Sequence, residues 1–250
     1  MTVQTALPGT LPESRRAALS QDAWSAGSED SSEYQVGETT EGAFVAPPRS
    51  AIYIATKRIV DLLLGVLGLA ATLLVSVVVA PWIKIKSPGP VLFRQERLGE
   101  HGKPFTCLKF RTMDLDAEAR KQDLAHLNEA QGPVFKIAHD PRHIPSLRWL
   151  RKFSIDEMPQ FWNVVRGDMS LVGPRPPIPG EVASYTPRQL GRLTVKPGMT
   201  CTWQVNGRSD VDFEQWVEMD LDYIERRSTL LDLTLIVKTI PAVLSGRGAS

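Results

Sequence analysis

The sequence predicts an α+β protein, mainly helical, with an N-terminal membrane-embedded helix of re-entrant form, one small β-hairpin and amphipathic helices at the surface. Three observations predict it. Leu62 to Ala80, LLLGVLGLAATLLVSVVVA, runs for about 19 residues without a charge, which meets the length that a membrane helix needs. The segments VLFRQERLG and PFTCLKFRTM partly alternate apolar and polar residues around a glycine-containing turn. Beyond them, apolar residues recur mainly at helical spacing.

With 250 residues, 42% hydrophobic and 23% charged, the chain can bury one sizeable core. A formal net charge of +1 argues against bulk electrostatic binding to nucleic acid. Cys107 and Cys201 form no C-x-x-C pair, which fits a reducing compartment and offers no metal cage. His139 and His143 are separated by Pro141 in HDPRH and read as a solvated loop rather than as ligands on one helix face.

In chain order, residues 1–50 are rich in Ser, Gly, Pro and Glu without apolar periodicity, and read as a disordered, mildly acidic tail lacking the regions of a signal peptide. Residues 51–90 form the membrane anchor. Lys57 and Arg58 precede the apolar run and Lys84 and Lys86 follow it, so both flanks are basic and both ends are expected on the cytoplasmic side. A single spanning helix is the alternative. Residues 91–250 form the cytoplasmic domain. Within it Asp114 to Ala130 is a charged helix candidate, whose Asp114-Leu115-Asp116 superficially resembles the metal-binding D-x-D of nucleotide-sugar glycosyltransferases but equally favours a helix N-terminus. Val211 to Arg227 is amphipathic, and Leu230 to Val243 carries an apolar stripe that suits either core or lipid.

The stretch SIDEMPQFWNVVRGDMSLVGPRP places Asp156 and Glu157 beside each other just before an apolar helical pattern of Met158, Phe161, Trp162 and Val165. Ser154 with Glu157 matches a capping box, although Pro159 then falls inside the helix. A helix starting at Pro159 instead leaves Met158 as a poor cap. Either start puts the acid pair at a helix N-terminus, where phosphates are also attracted.

Several motifs occur together: KR-x-x-D before the apolar run, SPGPVLFRQERLG, KFRTM, LRKFSIDEMPQFWNVVRGDMSLVGPRPP, VKPGMTCTWQVNGRSD and LDLTLIVKTIPAVLSGRGAS. From about Lys57 to the C-terminus they resemble the bacterial monotopic phosphoglycosyl transferases. Members of that family load a hexose 1-phosphate onto polyprenyl phosphate at the first membrane step of exopolysaccharide or O-antigen assembly. The resemblance implies that Asp156 attacks the β-phosphorus of a UDP-sugar, expels UMP and forms a phosphosugar-aspartate, which polyprenyl phosphate then resolves. It also implies Mg²⁺ or Mn²⁺ at Asp156, with Glu157 as metal partner or orienter, and a location at the inner membrane with the domain on its cytoplasmic face. Arginine forks suit phosphate oxygens, and motif position offers Arg151, Arg175, Arg111 and Arg208, the first two foremost. PRPP reads as a rigid arm holding Arg175, Lys109 as a snorkelling surface charge, and Trp203 as a core residue able to stack on uracil.

The sequence departs from the family at two places. Leu73 and Leu74 stand where the family's membrane helix has a Ser-Pro break, leaving Pro81 as the candidate kink, and Cys201 stands where glycine is common. Two rival readings are weaker. A phosphatase using an aspartate nucleophile of the HAD type lacks its D-x-D-x-T signature, and a non-catalytic scaffold does not account for retention of the acid pair and its surrounding motifs. The sugar and the oligomeric state are not legible.

Overall fold

The computed structural model describes residues 43–130, 132–206 and 211–246. Helix α1, Ala51–Lys86, opens on a Ser50 cap whose side chain accepts from the Tyr53 amide. Its buried residues Asp61, Gly65, Thr72, Val79 and Ile83 fall on one face, and that face packs along the domain from end to end. Near its start Arg58 donates to the carbonyls of Val164 and Val165 at 2.8 Å each, and near its end Val79 and Ile83 join Phe110, Leu147 and Leu150 in a compact cluster. The opposite face leaves Leu63, Val66, Leu67, Leu74 and Val77 exposed. With a mean hydropathy of 2.7 over its most apolar 18 residues, α1 is the one helix among the described residues long and apolar enough to cross a bilayer.

Pro81, the candidate kink, lies inside a helix that continues to Lys86. Proline removes one backbone hydrogen bond there, but Val79 and Ile83, both fully buried, hold the helix on either side of it. One expectation about this region changes: residues 43–50, expected as part of the tail, belong to the fold. Residues 1–42 lie outside the described residues, while Phe44 and Ala46 pack against the main core and Arg49 donates to the carbonyls of Ile224 and Glu225.

The expected hairpin is present: β1, Leu92–Leu98, pairs antiparallel with β2, Pro104–Phe110, in a register that sets Leu92 opposite Phe110. Asp114 to Ala130 is not a helix. It holds only turns and two short 3-10 segments, Ala119–Lys121 and Ala125–Leu127, because it lacks a stripe of large apolar residues; Leu115 is 65% exposed. The HDPRH loop is solvated only at His139 and Pro141, which are exposed. Asp140, Arg142 and His143 are buried, with Arg142 bonded to both Asp140 oxygens at 2.6 to 3.1 Å and to the Ala117 carbonyl.

Next come α2, Arg148–Lys152, a 3-10 turn over Ile155–Gln160, and α3, Phe161–Arg166, which Gly167 ends at φ 92°. Strand β3, Ser170–Val172, and strand β4, Gly198–Thr200, form a parallel pair, with α4, Pro179–Val182, and the 3-10 turn Gln189–Thr194 between them. A Cβ at Gly198 would lie 2.1 Å from the Gly173 nitrogen, so the two backbones approach as only glycine permits. Helices α5, Thr202–Asn206, α6, Phe213–Arg226, and α7, Thr229–Ser245, complete the chain. The amphipathic α6 buries Trp216, Val217, Leu221 and Ile224 in the main core beside Val164, Met169, Val172 and Leu193. Helix α7 buries Asp232 and Leu235 and exposes Leu230, Leu233, Val237, Ile240 and Leu244 at helical spacing.

Candidate active site

Asp156 and Glu157 belong to no capping box. Ser154 sits in the left-handed region at φ 53° and its side chain makes no cap hydrogen bond, so the chain reverses sharply before the acid pair. The pair occupies the first turn of the 3-10 segment rather than the start of an α-helix. From behind, α1 supports this turn: the Thr72 hydroxyl lies 2.7 Å from the Gly68 carbonyl and 3.1 Å from that of Met158. A Cβ on Gly68 would lie 2.5 Å from the Phe161 ring, so α1 and the start of α3 meet at van der Waals contact.

The pair faces a cleft of about 560 Å³ whose charged end is lined by Lys109, Arg151, Asp156, Glu157 and Arg175. Lys109, read from the sequence as a snorkelling charge, instead points inward and bonds Glu157 Oε1 at 2.5 Å. Alternation along β2 places it there, and a positive residue in KFRTM was the one available signal. Asp156 is 4% exposed. Burial, and then the neighbouring Glu157 charge, push its carboxyl up to about 6 against the opposing pull of Lys109 and Arg151. Burial acts most strongly, to raise Glu157, but Lys109, Arg175 and Arg151 together outweigh it and hold that carboxyl below its usual value. Two adjacent acids are thus driven apart in character, a pattern found where carboxylates take different roles.

Arg175 reaches the cleft from an arm, Gly173 to Pro177, in which the prolines offer no N–H and the carbonyls become the handles. Four successive carbonyls are held. Pro174 accepts from Gly198 N at 2.8 Å, Arg175 from Arg192 Nη2 at 3.2 Å, Pro176 from Arg97 Nη1, and Pro177 from Leu98 N at 2.9 Å. The Arg175 guanidinium lies 5.4 Å from the Trp216 ring centre, and Arg192 lies 4.8 Å from the same centre while pairing with Asp220 at 2.9 Å. Arg97 and Arg192, both buried, carry no functional signal in the sequence, and their roles emerge only with the arm in place.

The other candidates separate. Arg111 is buried away from the cleft, where it donates to Ser87 and Pro88 and closes the turn after α1. Arg208 lies outside the described residues. Trp203 also lines the cleft, and its ring lies 4.5 Å from that of Trp216, the ring over which Arg175 sits. His143 also lines the cleft, and burial, then the Arg151 charge, lower it to about 4, so it is neutral near pH 7. Cys201 is buried, its thiol bonding Gln204 at 3.3 Å, and burial raises its pKa. Among the described residues no third His, Cys, Asp or Glu completes a metal cluster with the acid pair.

Residues 52–246 match the sequence pattern of the bacterial sugar transferase family. The chain belongs to that family. Galactosyl transferase CpsE of Streptococcus agalactiae serotype III (strain NEM316) is 42% identical over 198 residues, covering 79% of this chain and 44% of that protein. Exopolysaccharide production protein ExoY of Sinorhizobium fredii (strain NBRC 101917 / NGR234) is 37% identical, covering 78% of this chain and 88% of its own. The UDP-glucose:undecaprenyl-phosphate glucose-1-phosphate transferase of Caulobacter vibrioides (strain ATCC 19089 / CIP 103742 / CB 15) is 38% identical over 208 residues, covering 79% of this sugar transferase and 73% of itself. The chain therefore spans less than half of the CpsE length, and most of ExoY.

Proposed function

We propose that this sugar transferase moves a sugar 1-phosphate, a hexose 1-phosphate by analogy with its relatives, from a UDP-sugar to undecaprenyl phosphate. This would be the first membrane step of exopolysaccharide or O-antigen assembly. The observation that carries the reading is the buried Asp156 facing a cleft lined by Arg151 and Arg175, beside a Glu157 whose charge Lys109 already balances. A carboxyl raised to about 6 is about nine-tenths ionised at pH 7 and is a competent nucleophile there.

In the first step an Asp156 oxygen bonds to the β-phosphorus, and the bond to the oxygen bridging the two phosphates breaks. UMP leaves with that electron pair. In the second, a phosphate oxygen of the lipid attacks the same phosphorus and the aspartyl oxygen departs as carboxylate. Neither step calls for strong base chemistry, so catalysis rests on positioning and on neutralising phosphate charge. Arg175, on its pinned arm, and Arg151 supply fixed positive charge. Mg²⁺ or Mn²⁺ suits a site with two carboxylates and, among the described residues, no third ligand clustered with them, since such ions keep waters and bind substrate phosphates. Asp156 and Glu157 are the residues that would hold it, and it would supply further charge neutralisation at the diphosphate.

The exposed apolar faces of α1 and α7, with Trp149, Phe153 and Trp162 exposed nearby in sequence to the acid pair, support seating on the cytoplasmic face of the inner membrane. Both ends of α1 dock on the one domain, which supports both ends lying on one side of the bilayer.

The test is a reaction of enzyme with UDP-hexose in the absence of lipid acceptor. Up to one equivalent of UMP and a hexose-phosphate mass on Asp156 are expected, and both vanish in Asp156→Asn. Near wild-type turnover by a folded Asp156→Asn enzyme would refute the covalent reading.

A further inference from the structure

Lys57 and Asp61 stand one turn apart on α1, four residues from each other and on one face. In the sequence they read as a basic flank and as the two ends of the KR-x-x-D motif. In the fold both turn toward the domain, Lys57 half-buried and Asp61 buried. Asp61 is 4% exposed, and its Oδ1 accepts from the Leu171 amide at 2.9 Å and from the Ser170 hydroxyl at 3.0 Å. The Lys57 ammonium donates to the Val172 carbonyl at 2.9 Å and pairs with Asp232 of α7 at 3.0 Å. Tyr223 closes the group, donating to Asp232 Oδ1 at 2.7 Å.

Two charged side chains of the membrane anchor thus take a backbone donor and a backbone acceptor of β3, as a neighbouring strand would. Burying such charges is costly unless they are paired or hydrogen-bonded: Lys57 is paired with Asp232, and Asp61 takes two hydrogen bonds from β3. A simple apolar contact could have attached α1 to the domain. What the charged pair adds is register, because directional bonds to Ser170, Leu171 and Val172 fix where the strand lies along its own axis. Gly173, Pro174 and Arg175 follow directly; the Gly173 amide donates to the Thr200 carbonyl at 3.0 Å, and the Pro174 and Arg175 carbonyls fix the arm beyond.

We propose that Asp61, with Lys57, is a positioning residue for Arg175, so that the membrane anchor is part of the scaffold that sets the phosphate-binding arginine. The inference rests on the role given to Arg175 above. It implies that anchor and catalysis are coupled through β3, beyond simple tethering to lipid.

A double-mutant cycle in full-length enzyme tests it, reading kcat/KM for the UDP-sugar per folded enzyme in membranes. Asp61→Ala is expected to lower kcat/KM about ten-fold or more. Asp61→Asn, whose amide oxygen still accepts from Leu171, is expected to stay within about three-fold of wild type. On an Arg175→Ala background the Asp61→Ala change should cost less than about two-fold, because the residue through which it acts is gone. Equal losses from Asp61→Ala in both backgrounds would overturn this inference and leave the Arg175 assignment standing. Wild-type activity in Arg175→Ala would overturn both. Where Asp61→Ala does not fold, Ser170→Ala removes one bond from the same carboxylate, and the cycle is run with it under the same criteria.

Discussion

Replacing Lys109 with methionine removes the cation 2.5 Å from Glu157 while keeping most of the side-chain volume. Lys109 pulls both carboxyls of the pair down, so its loss should raise the pKa of Asp156 from about 6 toward about 7, the order of one unit expected for a nearby opposite charge. The sign follows directly. A nucleophile must be ionised, so raising its pKa moves the acid limb of the rate profile to higher pH. At pH 6 the ionised fraction falls from about a half to about a tenth, a loss of about five-fold, whereas at pH 8 it changes by only about a tenth. Any direct contact between Lys109 and the diphosphate would add a loss that is the same at every pH. The assay is UMP release with lipid acceptor present, measured as kcat/KM for the UDP-sugar from pH 5 to 9, which reports the groups of the free enzyme. Because the carboxyls are adjacent, the limb belongs to the pair. Lys109→Arg should return the limb close to its wild-type position. A limb that stays put in Lys109→Met would refute the argument that Lys109 tunes the pair.

Three further outcomes are expected. Arg175→Ala should lower kcat/KM for the donor by on the order of 100-fold, while Arg111→Ala, which loses bonds to Ser87 and Pro88, should lower stability by about 1–3 kcal/mol and leave turnover per folded enzyme unchanged; kinetics paired with thermal inactivation separates them. A chain starting at residue 43 should match the full chain, whereas one starting at residue 51 should lose about 2 kcal/mol with Phe44 and Arg49 removed, read as a lower inactivation temperature. Chelation with EDTA should abolish turnover and Mg²⁺ or Mn²⁺ should restore it; full activity in chelator would remove the metal from the proposal.

What was legible in the sequence followed from long periodic signals. The hairpin showed in the alternation of VLFRQERLG and PFTCLKFRTM, and α6 in a stripe that the structure buries as Trp216, Val217, Leu221 and Ile224. The acid pair and Arg175 came from motif resemblance, and the fold brings both to one cleft with Arg151. Other features had no such signal. Strands β3 and β4 are three residues each, too short to show a period, and they pair only through the fold. Ser154 announces nothing of its left-handed backbone, so the capping box was the natural reading of Ser154 and Glu157. Charged residues misled most. Lys57 and Arg58 resemble a topological flank until their partners, Asp232 and the α3 carbonyls, are in place, and Arg111 resembles a phosphate ligand until it meets the turn after α1.

The arm from Gly173 to Pro177 acts as a mechanical junction. Its four carbonyls are secured from three remote stretches of chain: β1, the turn before β4, and β4 itself. Having no spare amide hydrogens at its prolines, it has few alternative ways to pair, so slackening one fastening cannot easily be made good by another. Changes in the QERLG hairpin strand, far along the sequence from Asp156, should therefore surface as weakened handling of the donor diphosphate. A genetic screen for lost polysaccharide would group Arg97 and Arg192 with the active-site residues, although neither is assigned to touch the sugar nucleotide.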